Sequence, residues 1–187
     1  MLVSRFLEPL YGRRARFGAA LLAVAVVASA ALFGAAGGVE SRDRTIRTEG
    51  DEQFVPNAKV MATLRFTPGH ITVNSGDELT LQHSDRTPDP HTLSIVDADE
   101  VPGDVATVFD CGSPGTICDE VFSVFPGGPP PPFINAPGTG PGIDGRLDSL
   151  FVEPGGSASA KVTAEPGTTL HFMCAIHAWM QGDISVK

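Results

Sequence analysis

The sequence predicts an all-β protein. The predicted fold is a β-sandwich with a long acidic insertion rich in Pro and Gly, preceded by an N-terminal signal or membrane-anchor helix. Three observations predict it: short runs of alternating apolar and polar residues between turn residues, an apolar run behind a basic front, and one stretch where the alternation stops. The 187 residues suffice for one domain with a real core plus appendages.

Residues 1–39 are predicted to be a signal peptide or a transmembrane anchor. A basic front at residues 13–16 precedes an apolar run over residues 17 to about 39, which is long enough to span a bilayer uncleaved. Small residues at positions 28–30 offer a cleavage site. Because the positive charge stays inside, the remainder is expected to be extracytoplasmic, meaning periplasmic, at the cell surface or secreted.

The next residues, 40–53, are polar, mixed in charge and without periodicity, so they are predicted to be a linker to a domain over residues 54–187. Turn residues such as those at 74–77 and 154–156 separate short apolar runs, which is typical of a β-sandwich. Strands are predicted in residues 60–66, 71–73, 79–81, 91–96, 147–152, 159–163, 169–174 and 182–186.

Residues 97 to about 146 interrupt this rhythm and are predicted to be a surface insertion between two strands. The insertion contains four consecutive prolines, which cannot pair within a central strand. It also contains Cys111 and Cys118. Of the three cysteines, these two are predicted to form a disulfide, while Cys174 stands among metal-ligand residue types. A disulfide needs an oxidising compartment, which agrees with export.

Charge is concentrated in the same part of the chain. The formal net charge is −9, and residues 97–148 carry nine acidic residues against Arg146 alone, a net −8. This balance argues against nucleic acid, because phosphates require a basic surface. It also argues against an acidic membrane as a partner of the folded part, which leaves the N-terminal segment as the only predicted membrane contact.

A loop near the C-terminus carries the strongest chemical signal. Cys174, His177 and Met180 follow one another at spacings of three residues, and they bring together a thiolate, an imidazole and a thioether. This set suits copper cycling between Cu(I) and Cu(II) in a trigonal His₂Cys site with a weak axial Met. The second His must come from upstream, and His91, at the start of a predicted strand, is the natural candidate.

With these residues the sequence resembles the cupredoxins, the type 1 or blue copper proteins, and within them the amicyanin and plastocyanin-like members. The resemblance implies a cupredoxin-like Greek-key β-sandwich and one bound copper ion, with His91, Cys174 and His177 as equatorial ligands and Met180 as the axial ligand. In many cupredoxins an Asn follows the first His ligand and ties the two ligand loops together. Here Thr92 stands at that position, and its hydroxyl can make one such hydrogen bond but not the full set of an amide.

Other residues compete for these roles. His83 is the main alternative to His91, whereas His70 and His171 are expected to be ordinary surface or strand residues. Strand alternation predicts that Phe172 and Cys174 share the core face and that Met173 points the other way, which favours Met180 as the axial ligand. Trp179 and Ala178 are expected either to pack within the loop or to form an apolar collar around an exposed edge of His177.

The predicted function is single-electron transfer between redox partners rather than enzymatic catalysis. The acidic insertion predicts either a partner with a basic patch or a charge that only keeps an exported domain soluble. Copper capture or delivery with the same ligands is the alternative, and an accessory redox domain of a membrane assembly is a third reading. A trinuclear copper cluster is excluded because the sequence has no His-x-His pair, and a binuclear centre would require a second thiolate near Cys174.

Overall fold

The computed structural model describes residues 44–187. The predicted signal or anchor over residues 1–39 lies outside the described residues. Within the described part, no helix has both the length and the apolar character needed to cross a membrane.

The described chain consists of short strands and two short helices. In chain order they are β1 (Thr45–Glu49), β2 (Glu52–Val55), β3 (Lys59–Ala62), β4 (Arg65–Thr67), β5 (His70–Val73), β6 (Glu78–Gln82), β7 (His91–Val96), α1 (Val105–Asp110), α2 (Ile117–Ser123), β8 (Phe133–Ile134), β9 (Ser149–Val152), β10 (Ser157–Lys161), β11 (Thr169–Met173) and β12 (Gln181–Val186).

Ten of these strands form the two layers of a sandwich. One sheet has the order β10-β6-β1-β4, and the other has the order β5-β12-β11-β7-β9-β8. Strands β1 and β6 are parallel, as are β12 and β5, while the other pairs are antiparallel. The prediction of an all-β sandwich is confirmed.

The core lies between the two sheets and follows from the period-two alternation of their strands. Leu79 and Leu81 of β6 and Ile46 of β1 are fully buried, and they belong to the same apolar cluster as Leu93 of β7 and Phe172 of β11. Alternate residues of a strand point to opposite faces, so each strand contributes one face to this core.

The linker predicted over residues 40–53 is wrong from residue 45 onward. Strand β1 begins there and lies inside a sheet, pairing with β4 on one side and β6 on the other. Its two inward-facing residues are Ile46 and Thr48, both fully buried. Because one of them is polar, the strand lacks the hydrophobic alternation that reveals strands in a sequence.

The single strand predicted over residues 60–66 is two strands. Strand β3 pairs only with β2, as a separate hairpin turning at Asn57, which has a φ of 58°. Strand β4 joins β1 in the four-stranded sheet. Both strands of the hairpin are exposed, and the side chain of Phe54 is 73% exposed.

Residues 97–148, called the connecting segment here, join β7 to β9 and contain α1, α2 and β8. The disulfide between Cys111 and Cys118 is present, as predicted from the cysteine count. Both cysteines pack with Val121 of α2 against Met173 of β11 in a second apolar cluster. The connecting segment therefore covers the outer face of the six-stranded sheet, and this explains why every residue of β7 is buried.

Asp148 fixes the end of the connecting segment. Its carboxylate is fully buried and accepts hydrogen bonds from the backbone amides of Ala136 (2.9 Å), Asp144 (3.1 Å) and Gly145 (3.0 Å), and from Oγ1 of Thr139 (2.8 Å). Four donors offset the cost of burying a carboxylate. This acidic residue serves the structure of the loop rather than its surface charge.

Candidate metal centre

Two elements at one end of the sandwich supply the predicted ligands. His91 opens β7, where it pairs with Val152 of β9 and is fully buried. Cys174 directly follows the end of β11, and His177 and Met180 lie in the loop to β12. This loop is closed by hydrogen bonds from the Cys174 amide to the Met180 carbonyl (3.0 Å) and from the Met180 amide to the His177 carbonyl (2.8 Å).

The three predicted equatorial ligands converge. Nδ1 of His91 lies 3.2 Å from Nδ1 of His177, and Sγ of Cys174 lies 3.8 Å from each of these nitrogens. All three side chains are buried, and together they could hold a metal ion. Met180 is buried in the same apolar cluster as Cys174.

The electrostatics of the cluster fit a cation with soft ligands. Burial raises the pKa of the Cys174 thiol, against the opposing effect of nearby backbone amides. Burial also lowers the pKa of His91 to about 4, although the Asp85 carboxylate opposes this, and lowers the pKa of His177. Both imidazoles are therefore neutral at pH 7, as metal ligands must be, and a bound cation would stabilise the buried thiolate. One thiolate, two imidazoles and a thioether suit copper.

The two methionines near the cluster lie on opposite sides of the sheet, as strand alternation predicts. Met180 shares the main core with Phe172 and Cys174, whereas Met173 packs under the connecting segment. Met173 is therefore directed away from the three converging atoms.

Thr92 ties the two ligand-bearing elements together. Its hydroxyl accepts a hydrogen bond from the Ala175 amide (2.8 Å), and its own amide donates to Sγ of Cys174 (3.4 Å). The hydroxyl also accepts from Oγ of Ser94 (3.1 Å), which in turn accepts from Oγ of Ser149 (2.8 Å). A buried chain of hydroxyls thus runs from β9 across β7 to the ligand loop.

The structure separates His83 from the converging atoms. Nε2 of His83 lies 3.1 Å from the Asp89 carbonyl, and its ring stands 5.1 Å from the ring of His91. Its ring nitrogen is thus engaged by the backbone, while His91 presents Nδ1 to Cys174 and His177. His70 is exposed, and His171 pairs with Asp183 on β12.

Sequence reasoning missed Asp85, whose carboxylate lies against the far side of His91. Oδ2 of Asp85 is 2.8 Å from Nε2 of His91, and both side chains are fully buried. The spacing of Asp85 and Thr87 indicates a local turn, in which the Asp side chain binds the backbone two residues on. That signal reveals the turn but not its position beside a ligand.

The edge of His177 is more covered than expected. The residue is only 5% exposed, and its Nε2 lies 3.9 Å from Oε1 of Glu52 and 4.0 Å from Oδ2 of Asp89. Trp179 packs edge-on against His177 with ring centroids 5.3 Å apart, and it is 38% exposed. Trp179 therefore presents more surface to solvent at this end of the sandwich than the imidazole does.

An apolar groove of about 730 Å³ opens next to Trp179. The hairpin β2–β3 forms one wall through Phe54 and Val60, and helix α1 forms another through Val105 and Phe109. The side chains of Phe54, Val60, Val105 and Phe109 are strongly exposed.

The chain is similar to cupredoxins among solved structures. A purple cupredoxin from Nitrosopumilus maritimus matches 78% of this chain and 100% of its own, at 14% identity and a TM-score of 0.42. A dithionite-reduced auracyanin from Roseiflexus castenholzii matches 77% of this chain and 97% of its own, at 20% identity and a TM-score of 0.41. The oxidised plastocyanin from Dryopteris crassirhizoma matches 76% of this chain and 99% of its own, at 19% identity and a TM-score of 0.37.

No protein-family model matches the sequence, and no curated protein matches it. Because the structural likenesses have TM-scores below 0.5, the assignment of the metal rests on this chain's own donor atoms.

Proposed function

We propose that this chain is an extracytoplasmic type 1 copper protein that binds one copper ion and transfers single electrons between redox partners. The observation that carries the proposal is the convergence of two imidazole nitrogens and one thiol sulfur in a buried site, with Met180 in the adjoining core. When bound, copper supplies one-electron exchange between its two oxidation states.

The protein's part is to hold its donor atoms in place and to exclude water. His91 is fixed at the start of a fully buried strand, and Cys174 is fixed by the backbone hydrogen bonds that close its loop. Thr92 locks these two elements together. Because both the start of β7 and the Cys174 loop are fixed, the donor atoms should move little when the bound ion changes oxidation state. An electron carrier needs such a rigid site.

Partner contact is proposed at the end of the sandwich that carries Trp179. This side chain touches His177 and borders the apolar groove, so a partner resting there comes close to the ligand cluster. Glu52 and Asp104 lie among the groove's lining residues. The proposed partner is a redox protein with an apolar contact surface and a basic patch, and membrane attachment is proposed only through the N-terminal segment.

Copper capture or delivery is the alternative function, and the burial of the donor atoms speaks against it. Transfer of the ion to another protein requires a ligand that the acceptor can reach, whereas His91 and Cys174 are fully buried and His177 nearly so. A role as an accessory redox domain of a membrane assembly uses the same site and differs only in the partner.

The test is the visible spectrum of the Cu(II)-loaded protein. A carrier should bind one copper, absorb intensely in the visible and cycle reversibly, whereas a delivery protein should be colourless and lose metal readily. Cys174→Ser should abolish the visible band because a hard hydroxyl replaces the soft thiolate. Met173→Leu, one residue away on the opposite face of β11, is the matched control and should keep the band. A Cys174→Ser protein that retained it would refute the assignment.

A further inference from the structure

The carboxylate of Asp85 is directed at the side of His91 that faces away from Cys174. From this geometry, and building on the copper function proposed above, we propose that Asp85 is a positioning residue of the metal centre. It holds His91 through Nε2 so that Nδ1 is presented to the metal, and its fixed negative charge stabilises Cu(II) and lowers the reduction potential.

The contact between the two side chains is close and isolated from solvent. Oδ2 of Asp85 lies 2.8 Å from Nε2 of His91, and both side chains are fully buried. Within the described residues, neither atom makes a hydrogen bond that meets standard geometric limits. Buried polar atoms without partners are rare, so these two facing atoms are each other's natural partner.

Asp85 is itself anchored, so it can act as a fixed support. Its Oδ1 accepts hydrogen bonds from the amide (3.0 Å) and the hydroxyl (2.6 Å) of Thr87. The other oxygen, Oδ2, faces Nε2 of His91. A carboxylate that accepts on both oxygens is the ionised, acceptor-only form, so Asp85 carries a negative charge into the protein interior.

The two ring nitrogens of His91 face different groups. Nδ1 faces His177 (3.2 Å) and Cys174 (3.8 Å), which leaves Nε2 to carry the ring proton and to direct its N–H group at the Asp85 carboxylate. A carboxylate bound to the outer nitrogen of a ligating His fixes the tautomer and ring orientation and raises the basicity of the ligand. A buried negative charge also favours the more positive oxidation state of the ion, because electrostatic attraction is weakly screened inside a protein.

His177 provides the internal contrast. Its Nε2 also has carboxylates nearby, but they stand farther away, at 3.9 Å for Glu52 and 4.0 Å for Asp89. The Asp89 side chain is 46% exposed, so water and salt screen its charge. Asp85 and Asp89 lie in the same loop before β7 and differ in burial, which makes Asp89 the matched control.

The test compares Asp85→Asn with Asp89→Asn, two substitutions that each remove one negative charge with little change of shape. Equilibrium redox titration and competition assays for Cu(II) and Cu(I) give the potential and both affinities. Asp85→Asn should weaken Cu(II) binding by about 10–100-fold, as is typical when a residue that hydrogen-bonds to a metal ligand is removed, and weaken Cu(I) binding less. For each tenfold by which the Cu(II) affinity falls more than the Cu(I) affinity, the reduction potential rises by about 59 mV. Asp89→Asn should shift the potential by less than half as much.

A second readout requires no copper. In the metal-free wild type, nitrogen NMR of the histidine rings should find His91 protonated at Nε2, and Asp85→Asn should weaken that preference. If Asp85→Asn does not fold, Thr87→Ala keeps the charge and removes one anchoring donor, and it should shift the potential in the same direction by less.

The possible failures are distinct. A wild type that binds copper with the intense visible band, together with an Asp85→Asn potential that moves no more than that of Asp89→Asn, would overturn the role of Asp85 alone. His91 protonated at Nδ1 in the metal-free wild type would do the same. A wild type without the visible band would instead overturn the proposed copper function.

Discussion

The two faces of the six-stranded sheet are both buried, but different structures bury them. On the inner face, Phe172 and Cys174 join the core between the sheets, and the candidate ligands lie at the end of that core. On the outer face, Met173 and Ala175 pack under the connecting segment beside the disulfide. Consecutive residues of one strand and its loop thus line a candidate metal site on one side and a structural cover on the other.

Because the candidate ligands lie on the inner face and the connecting segment on the outer face, substitutions on the two faces should have different effects. The inner face supplies the candidate donor atoms, so changes there should affect metal binding directly. The outer face contacts the ligand loop in two ways. The Thr92 hydroxyl accepts a hydrogen bond from the Ala175 amide, and Met173 and Ala175 pack in the outer apolar cluster. Changes in the cover should therefore alter the stability and rigidity of the loop while leaving the ligands in place.

Removal of a ligand on the inner face should have the largest effect. His91→Ala should remove a bond to the metal itself. It should therefore weaken copper binding by more than the roughly 10–100-fold expected when a residue that hydrogen-bonds to a ligand is lost. His83→Ala is the control, since His83 neighbours His91 but is engaged by the Asp89 carbonyl. It should keep bound copper and the visible band. Copper titration with visible detection decides, and the reverse outcome would move the ligand to His83.

On the outer face, removing the disulfide should have a smaller effect of another kind. Replacing Cys111 and Cys118 together by Ala opens a loop closed over a sequence separation of seven, for which chain entropy gives at most about 2–3 kcal/mol of stability. Denaturant unfolding should show this loss, while the visible band of the copper form should persist. Loss of copper binding in the folded double variant would show that the cover also shapes the site. In the unreduced wild type, alkylation should label neither cysteine.

The sequence predicts those parts of the candidate site that depend on local spacing. Cys174, His177 and Met180 lie within one loop, and period-two alternation alone places Met173 on the other face. His91 required a long-range inference, which the geometry supports. Asp85 was missed because its role depends on how a turn packs against a ring, and a sequence pattern does not contain that information.

The errors of the fold prediction have the same origin. The sequence pattern predicts a linker at strand β1 because one of its two inward positions is the polar Thr48, whose burial only tertiary structure reveals. The hairpin β2–β3 is exposed on both strands, so its apolar residues mark a groove rather than a core. Composition identified the connecting segment but not the buried role of Asp148.

The charge of the connecting segment is less available to a partner than its composition suggests. Asp148 is buried, and Arg146 forms ion pairs with Glu100 and Glu120, each at 2.5 Å. Hydrogen bonds from Arg146 lower the pKa of Glu100, so this pair is ionised near neutral pH and its charges offset one another. Five of the segment's acidic residues remain exposed: Asp97, Asp99, Asp104, Asp110 and Asp119.

The smallest expected effect concerns the association with a redox partner. If exposed acids steer a basic partner to the groove, the association rate should fall as salt rises, because the Debye length shrinks from about 30 Å at 0.01 M to about 10 Å at 0.1 M. Asp104 lines the groove, so Asp104→Asn, which preserves its capping role on α1, should lower the low-salt rate by roughly twofold. Asp119→Asn, an equal charge change outside the groove lining, should do less. Stopped-flow electron transfer across this salt range measures both variants. A rate indifferent to salt would mean that these acids keep the domain soluble and do not steer a partner.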